Sequence, residues 1–253
     1  MATISFADPA RRNALGVPMF TALRVCLDTV RARVAEPRVG TDSDVHGRVD
    51  AVVLRGEGAA FCAGFDLAAC ATQPAQLERL VHELSESVQA LRQLPVPVVA
   101  QVHGAAMAGG CALLAGCDFV IVAPSAQLGY PVHRIGVSPA VSLPAVMANA
   151  GPGRAREIAL GGAIYEGAEA VRVGLATRCA ASDGALEEEV RALVESLRAK
   201  GPMALRATKR WLNELDGTDD PSRFLHTALA SAAAAHGDEF ATMLRAAWGA
   251  RRG

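Results

Sequence analysis

Two glycine-rich loops hold the residues best suited to chemistry, FCAGFD at 61–66 and AMAGGCALL at 106–114, and each follows a predicted strand. Glycine lets a backbone approach another group closely, so N–H groups of both loops could converge on one oxygen atom. Two such donors, with a helix predicted to begin near Gly110, would stabilise negative charge on that oxygen. The residues alone equally allow two tight turns between packed layers.

Alternating strands and helices are predicted to position these loops. Apolar, β-branched runs predict strands at 3–6, 49–56, 96–104, 118–123 and 175–181, with a short extended piece at 126–132. Apolar residues at helical spacing predict helices at 17–36, 75–94, 140–150, 153–161, 166–174, 184–200, 202–215 and 221–248. The polar stretch 36–48 predicts a linker or loop. Because strands alternate with helices before a purely helical end, the pattern indicates an α/β protein with a helical C-terminal part.

Charge, cysteine content and missing motifs exclude several classes of function. The 253 residues carry a formal net charge of −1, which gives no electrostatic reason to expect nucleic acid or an anionic membrane as partner. The six cysteines show no metal-ligand spacing, so we expect no metal site. The motifs of serine hydrolases, P-loop nucleotidases, zinc proteases and dinucleotide-dependent dehydrogenases are absent. The N-terminal residues lack the apolar core of a signal peptide, and we expect a cytoplasmic protein.

Five fragments, in this order along the chain, resemble the enoyl-CoA hydratase/isomerase family of the crotonase superfamily. They are ARRNALGVPMF, VVLRGEGAAFCAGFDL, VPVVAQVHGAAMAGGCALLAGCDFVIVAPSAQLGYP, RIGVSPAVS and EGAEAVRVGLATR. The resemblance covers nearly the whole chain and implies a crotonase-like (ClpP/crotonase) α/β spiral of β-β-α units with a C-terminal helical part. It also implies an acyl-CoA thioester as ligand, with coenzyme A bound as part of the substrate and no other cofactor.

The resemblance assigns roles to individual positions of the two loops. Carried over residue by residue, it implies that the backbone N–H groups of Phe65 and Gly109 form an oxyanion hole for the thioester carbonyl. It also implies that the backbone at Ala63, Phe65 and Leu67 contacts the adenine of coenzyme A. A basic residue of the first turn, Arg11 or Arg12, is implied to contact a phosphate of coenzyme A. A solvated turn is the alternative interpretation of the two arginines.

Two carboxylates of the family pattern are missing. Hydratases that this chain resembles hold water between two glutamates, and paired acid and base groups are what such a reaction needs. The positions of these glutamates fall at Ala112 and Val132, and neither side chain can move a proton. Pro131 and the RIG at 134–136 bracket Val132 with family-like spacing. A shifted alignment does not supply an acid, because no Asp or Glu occurs from 119 to 156.

Other side chains are candidates for proton transfer. Tyr130 lies two residues before Val132, so in an extended segment both side chains face the same side, and Tyr130 could donate a hydrogen bond into the site. His133 titrates in a useful range but would face the other side of that segment. Asp66 is interpreted as an acceptor that stabilises its loop. Lys209 is interpreted as a surface lysine.

Three functions remain open from the sequence. The first is an acyl-CoA lyase or isomerase of fatty acid metabolism with nonstandard catalytic residues, such as a decarboxylase that needs only enolate stabilisation. The second is a non-catalytic binding protein for an acyl-CoA or acyl-carrier thioester. The third is ordinary hydration or isomerisation through unrecognised groups.

The resemblance also implies an assembly. It divides the chain into a crotonase-like core with the acyl-CoA site at 1–195 and a C-terminal helical trimerisation region at 196–253. The expected form is a homo-trimer, or a hexamer made of two trimers. Apolar residues recur at helical intervals in the last helices and would be exposed unless they pack within the chain or against a partner.

Overall fold

The computed structural model describes residues 1–35, 49–72, 75–234 and 238–249, and the predicted linker at 36–48 lies outside them. Eight strands form within these ranges. In chain order they are β1 (Ala2–Phe6), β2 (Val52–Gly56), β3 (Val98–Val102), β4 (Ala105–Met107), β5 (Phe119–Val122), β6 (Gln127–Gly129), β7 (Ile164–Glu166) and β8 (Arg178–Cys179). The five longer strand predictions are thus confirmed, although the structural strands are shorter at most ends.

The strands form two sheets. The larger is wholly parallel, in the order β1-β2-β3-β5-β8, and the smaller has the order β4-β6-β7 with β7 antiparallel. Val52 pairs with Val98 and Val99 pairs with Phe119 across the central strands. Such β-branched, almost fully buried strands are typical of a parallel sheet with helices over both faces. The carboxyl ends of β2 and β3 lead into the two glycine-rich loops.

Ten α-helices connect and cover the sheets within the described ranges. They are α1 (Val17–Ala35), α2 (Leu67–Thr72), α3 (Ala75–Arg92), α4 (Gly109–Ala115), α5 (Leu143–Gly161), α6 (Gly167–Val173), α7 (Leu186–Arg198), α8 (Pro202–Asp216), α9 (Pro221–Ala234) and α10 (Asp238–Gly249). The α/β architecture with a helical C-terminal part is therefore confirmed. The proposed domain boundary after residue 195 falls inside α7.

Two predicted elements are wrong in detail, and a third is confirmed. The single helix expected at 221–248 is two helices, α9 and α10. The two helices expected at 140–150 and 153–161 are present, because α5 consists of two helical segments separated by a kink at Gly151, where φ is 76° and proline follows. The extended piece ends at Gly129, and Pro131–Ile135 is a 3-10 helix, because proline fixes φ near its helical value.

Lys209 is a buried residue, and its prediction as a surface lysine is wrong. Its ammonium donates hydrogen bonds to Asp118 Oδ2 at 2.6 Å and to the Val96 carbonyl at 3.0 Å. The same Asp118 oxygen accepts the Val98 N–H at 2.7 Å. This network joins α8 to the starts of β3 and β5.

Candidate functional site

The first loop, residues 61–66, is bridged to Leu15 in a way that leaves the backbone N–H of Phe65 pointing away from Leu15. The Leu15 N–H donates to the Gly64 carbonyl at 2.7 Å, and the Asp66 N–H donates to the Leu15 carbonyl at 3.0 Å. Since this parallel bridge uses Gly64 and Asp66, the N–H of Phe65 projects to the other side. Within the described part of the chain, Phe65 N–H donates no backbone hydrogen bond.

The second loop presents Gly109 through an unusual backbone conformation. Ala108 has φ 51° and ψ −112°, a region that L-residues avoid, and its N–H donates to the Gly129 carbonyl at 2.8 Å. Gly109 begins α4, where a backbone N–H has no partner within the helix. A Cβ placed on Gly64 would lie 3.7 Å from Gly109 N, so the two loops lie against each other. Backbone strain of this kind is concentrated at functional sites.

Gly110 allows the loops to come this close. A Cβ at this position would lie 2.4 Å from the Cys62 carbonyl oxygen and 3.0 Å from its sulfur. The Met107 N–H also donates to that carbonyl, at 3.0 Å. Glycine at position 110 is therefore required by space.

The first turn of the chain fastens the first loop from the other side. Asn13 is fully buried, with φ 57°, and its amide donates to the carbonyls of Ala60 at 2.8 Å and Phe61 at 3.2 Å. The Ala63 N–H donates to the Arg12 carbonyl at 3.0 Å. The predicted asparagine-containing turn thus has a structural role, which is to hold the backbone from which Phe65 projects.

The predicted coenzyme A contacts of the first turn lie at the surface. The Arg11 guanidinium is 65% exposed and lies 2.6 Å from an Asp8 carboxylate oxygen and 3.1 Å from Asp66 Oδ2. Arg12 is exposed as well. Neither arginine lines the pocket described next. The ion pair with Asp66 is consistent with the interpretation of that aspartate as a loop-stabilising group.

A narrow cavity of about 70 Å³, open at its mouth, adjoins both loops. Its lining includes seven of the residues singled out from the sequence: Ala63, Phe65, Leu67, Gly109, Ala112, Tyr130 and Val132. Residues that the sequence did not suggest complete it: Leu77, Val81, Leu84, Ala108, Ile135, Val137, Ser138, Pro139, Val141, Ser142 and Ser231. None of these lining residues carries a charged side chain. Ala112 and Val132 are only 1% and 8% exposed, so the places of the two missing carboxylates are filled by buried carbon.

Tyr130 lines the cavity, and its hydroxyl is buried. The residue is 2% exposed, and its Oη has no hydrogen-bond partner among the described residues. Burial raises the pKa of Tyr130 well above its usual range, and the Cys111 thiol and the Ser142 hydroxyl are close enough to influence that pKa without reaching hydrogen-bond geometry. The phenol therefore keeps its proton at neutral pH.

His133 is not brought into the pocket. Its side chain is exposed and is not among the lining residues. Val132 and His133 do not alternate across an extended segment, because Pro131–Ile135 is a 3-10 helix. Three serines of the pocket could not be identified from the sequence: Ser138, Ser142 and Ser231. They form no local motif, and Ser231 lies on α9, far from the other two along the chain.

Buried thiols lie close to both loops. Burial raises the pKa of Cys62 and of Cys111 to about 12, so neither is a thiolate at neutral pH. Within the described ranges, no group of three or more His, Cys, Asp or Glu residues is arranged to hold a metal ion. No described helix is both long enough and apolar enough to span a bilayer.

Comparison with known proteins gives a consistent result. The enoyl-CoA hydratase/isomerase family model matches residues 1–219. A relative from Thermus thermophilus, grouped by its name with the enoyl-CoA hydratases, is 35% identical over 236 residues, or 92% of this chain and 88% of its own. An enoyl-CoA hydratase/isomerase structure from Xanthobacter autotrophicus superposes with a TM-score of 0.82 at 27% identity, covering 99% of this chain and 89% of that one. A Bacillus anthracis enoyl-CoA hydratase structure has a TM-score of 0.75 at 28% identity, covering 92% and 84%.

Proposed function

The chain belongs to the enoyl-CoA hydratase/isomerase family of the crotonase superfamily, and we propose that it binds an acyl-CoA thioester and polarises its carbonyl between the N–H groups of Phe65 and Gly109. One observation carries the proposal. Two backbone donors that no described backbone hydrogen bond uses lie on abutting loops at the edge of an apolar cavity. Donors fixed in this way stabilise an oxyanion without reorganising as charge develops.

Hydration is not the reaction that this cavity supports. Adding water across a double bond requires groups that take and give protons near the reacting carbons. The described lining residues include no carboxylate, imidazole or amine, and Ala112 and Val132 occupy the places where the family pattern has glutamates. Tyr130 is a poor acid here, because burial raises its pKa.

Decarboxylation is a second candidate, and the uncharged lining favours it. A carboxylate on the α-carbon of a thioester would enter a cavity that offers it no cation. Breaking the bond to that carboxylate releases CO₂ and leaves the electron pair on the α-carbon as an enolate. The two N–H groups would hold the enolate oxygen, and a proton from solvent would complete the product.

The chain could also bind an acyl thioester without converting it. This function requires no catalytic group beyond the two N–H donors.

Coenzyme A would extend from the cavity toward the first turn. We assign its adenine to the backbone at Ala63, Phe65 and Leu67 and its phosphates to Arg11 or Arg12. The exposed guanidinium of Arg11 already pairs with Asp66, which follows the donor Phe65. A phosphate that engages Arg11 would therefore act on the same loop that carries the oxyanion donor.

The proposed trimer would form through the C-terminal helices. On α8, Trp211, Leu212 and Leu215 are 50%, 58% and 81% exposed, and on α9 Leu225 and Leu229 are 49% and 59% exposed. Large apolar side chains exposed on successive helices are candidates for an association surface, because water-exposed apolar area is costly unless a partner covers it. Light scattering on the purified protein should give about three times the 26.2 kDa mass of the chain, or six times for a pair of trimers.

A mass panel separates the candidate reactions. The protein is incubated with crotonyl-CoA, malonyl-CoA and butyryl-CoA, and the thioester masses are followed together with binding. Saturable binding without a gain of water supports the proposal, and loss of CO₂ from malonyl-CoA assigns the second candidate. Chromatography of the unchanged masses detects isomerisation. Fast hydration of crotonyl-CoA would contradict the disabling effect assigned to Ala112 and Val132, and the absence of binding to every thioester would overturn the proposal itself.

A further inference from the structure

A buried arginine at the end of α3 joins several separate parts of the chain. The guanidinium of Arg92 donates hydrogen bonds to four oxygens: the Ala115 carbonyl at 3.2 Å, Asn149 Oδ1 at 2.8 Å, Thr218 Oγ1 at 3.0 Å and Asp216 Oδ2 at 2.6 Å. The Asp216 carboxylate balances the charge of the guanidinium. Because the donors of a guanidinium form a rigid planar fork, four acceptors fix both its position and its orientation.

One of these acceptors belongs to the helix that carries a proposed oxyanion donor. Ala115 is the last residue of α4, and Gly109 is the first. The last carbonyls of a helix have no partner within the helix, and a cation beside them is favourable. The amide of Asn149 donates to the same Ala115 carbonyl at 3.2 Å. Side chains from α3 and α5 therefore hold the C-terminal end of α4.

The two ends of α4 are close enough to move together. The helix has seven residues, all of them buried, and so is about 10 Å long. Gly116, which follows it, packs against α3, since a Cβ there would lie 2.7 Å from the Val88 carbonyl oxygen. A tilt of so short a helix at Ala115 would redirect the N–H of Gly109. Groups of a functional site must be held to within about 0.5 Å, so a small tilt matters.

The helix that ends at Arg92 also forms a wall of the cavity. Leu77, Val81 and Leu84 of α3 line the cavity beside the two loops. The hydrogen bond from Arg92 to Ala115 therefore fixes the donor helix α4 relative to the wall against which an acyl group would lie.

We propose that Arg92 is a positioning residue for the oxyanion hole, which holds the Ala115 carbonyl so that the N–H of Gly109 points at the thioester carbonyl. Arg92 is not among the lining residues of the cavity, so it acts through α4 and not on the ligand. Asn149 supports the same carbonyl from α5. This role rests on the proposed function, since it requires a thioester carbonyl between the two loops.

The carbonyl stretch of bound butyryl-CoA, labelled with ¹³C at the thioester carbonyl, reports on the donor in saturated complexes. Arg92→Met should reduce the downward shift seen in wild type. It should also weaken binding by up to about 10-fold, because about one hydrogen bond to the carbonyl is impaired. Asn149→Ala removes one of the two donors to Ala115 from an exposed residue, so it should fold normally and reduce the shift less.

Lys209→Met is the matched control. The Lys209 side chain is 9% exposed, against 11% for Arg92, and it is likewise paired with an aspartate. Its hydrogen bonds go to Asp118 and to the carbonyls of Leu91 and Val96, and not to α4. This variant should lower Tm about as much as Arg92→Met and keep the wild-type carbonyl shift.

The outcomes separate this role from general stability and from the proposed function. Equal loss of the shift in Lys209→Met and Arg92→Met would mean that the shift follows stability alone, and would overturn the positioning role. A wild-type shift in both Arg92→Met and Asn149→Ala would also overturn it, while polarisation of the thioester would stand. Should Arg92→Met fail to fold, the shift in Asn149→Ala decides. A saturated wild-type complex without any shift would refute both proposals.

Discussion

Replacing Gly110 by alanine tests how the two loops are held together. The new Cβ would lie 2.4 Å from the Cys62 carbonyl oxygen and 2.9 Å from Cys62 Cβ. Real Cβ atoms essentially never come closer than 3.0 Å to such neighbours, so one of the two loops must move. Because the obstructing oxygen belongs to the backbone, no side-chain rotation relieves the contact.

The expected size of the effect follows from two opposing terms. Overpacking of this kind costs about 1–3 kcal/mol, and a rigid backbone contact belongs at the upper end. Alanine is the better helix former by about 1 kcal/mol within α4. The net loss of about 2 kcal/mol in the free energy of unfolding should lower Tm by about 4–8 °C in a protein of this size. Movement of the Cys62 segment should also displace Phe65 and weaken butyryl-CoA binding about 10-fold.

Thermal unfolding and calorimetry measure the two effects side by side. Gly153→Ala is the matched control, because it lies in α5 with no neighbouring atom within 4 Å of an added Cβ. It should leave Tm unchanged or raise it slightly, with the same butyryl-CoA constant as wild type. A Gly110→Ala variant that keeps both the wild-type Tm and the wild-type affinity would refute the close approach of the loops.

Three further perturbations test other parts of the account. Glutamate at both Ala112 and Val132 should create crotonyl-CoA hydration about 100-fold or more above either single variant, measured by loss of enoyl absorbance. Lys209→Met should cost about 3 kcal/mol in denaturant unfolding, because Asp118 loses its partner while partly buried. At pH 8 iodoacetamide should label the exposed Cys26 first, since about 1 in 10,000 molecules of a thiol with a pKa near 12 is thiolate. Labelling of the folded protein should spare the buried thiols Cys62, Cys111 and Cys117 until the pH approaches their pKa of about 12.

Each of these has a control and an opposing result. Hydration by the wild-type protein at the rate of the double variant would contradict the role given to Ala112 and Val132. Arg191→Met removes an exposed ion pair with Glu188 and should lower the free energy of unfolding by less than about 1 kcal/mol. An equally small loss for Lys209→Met would contradict the burial of the Lys209–Asp118 pair. Labelling of the three buried thiols as fast as Cys26 at pH 8 would contradict their burial.

The parts of the fold that follow from local periodicity were predictable from the sequence. Leu77, Val81, Leu84 and Leu91 recur at helical spacing and lie buried on one face of α3. The strands β4 and β7 have three residues each, too few to show a pattern. The run at 221–248 is alanine-rich and reads as one helix, but Gly237 followed by Asp238 is a sequence signal typical of one helix ending and another starting, and α9 and α10 are separate helices.

Some residues of the site could also be located from the sequence, and others could not. The loops that carry Phe65 and Gly109 could be located because glycine, strand and helix follow one another in a short stretch. The burial of Lys209 could not, because its partner Asp118 lies 91 residues earlier and only tertiary packing joins them. Ser231 reaches the cavity for the same reason, through packing of α9 against the segment that holds Ser138.

Infrared spectroscopy of a bound thioester tests the central claim most directly. Butyryl-CoA labelled with ¹³C at the thioester carbonyl is bound to the protein, and its carbonyl stretch is compared with that of the free ligand. Gly109→Pro removes the N–H donor at the helix position where proline is best tolerated. Gly153→Ala, which has no atom within 4 Å of its added Cβ, is the matched control. We expect a shift to lower wavenumber for wild type and Gly153→Ala, and a smaller one for Gly109→Pro. A carbonyl that stays at its free-solution frequency in the saturated wild-type complex would contradict polarisation by the two N–H groups.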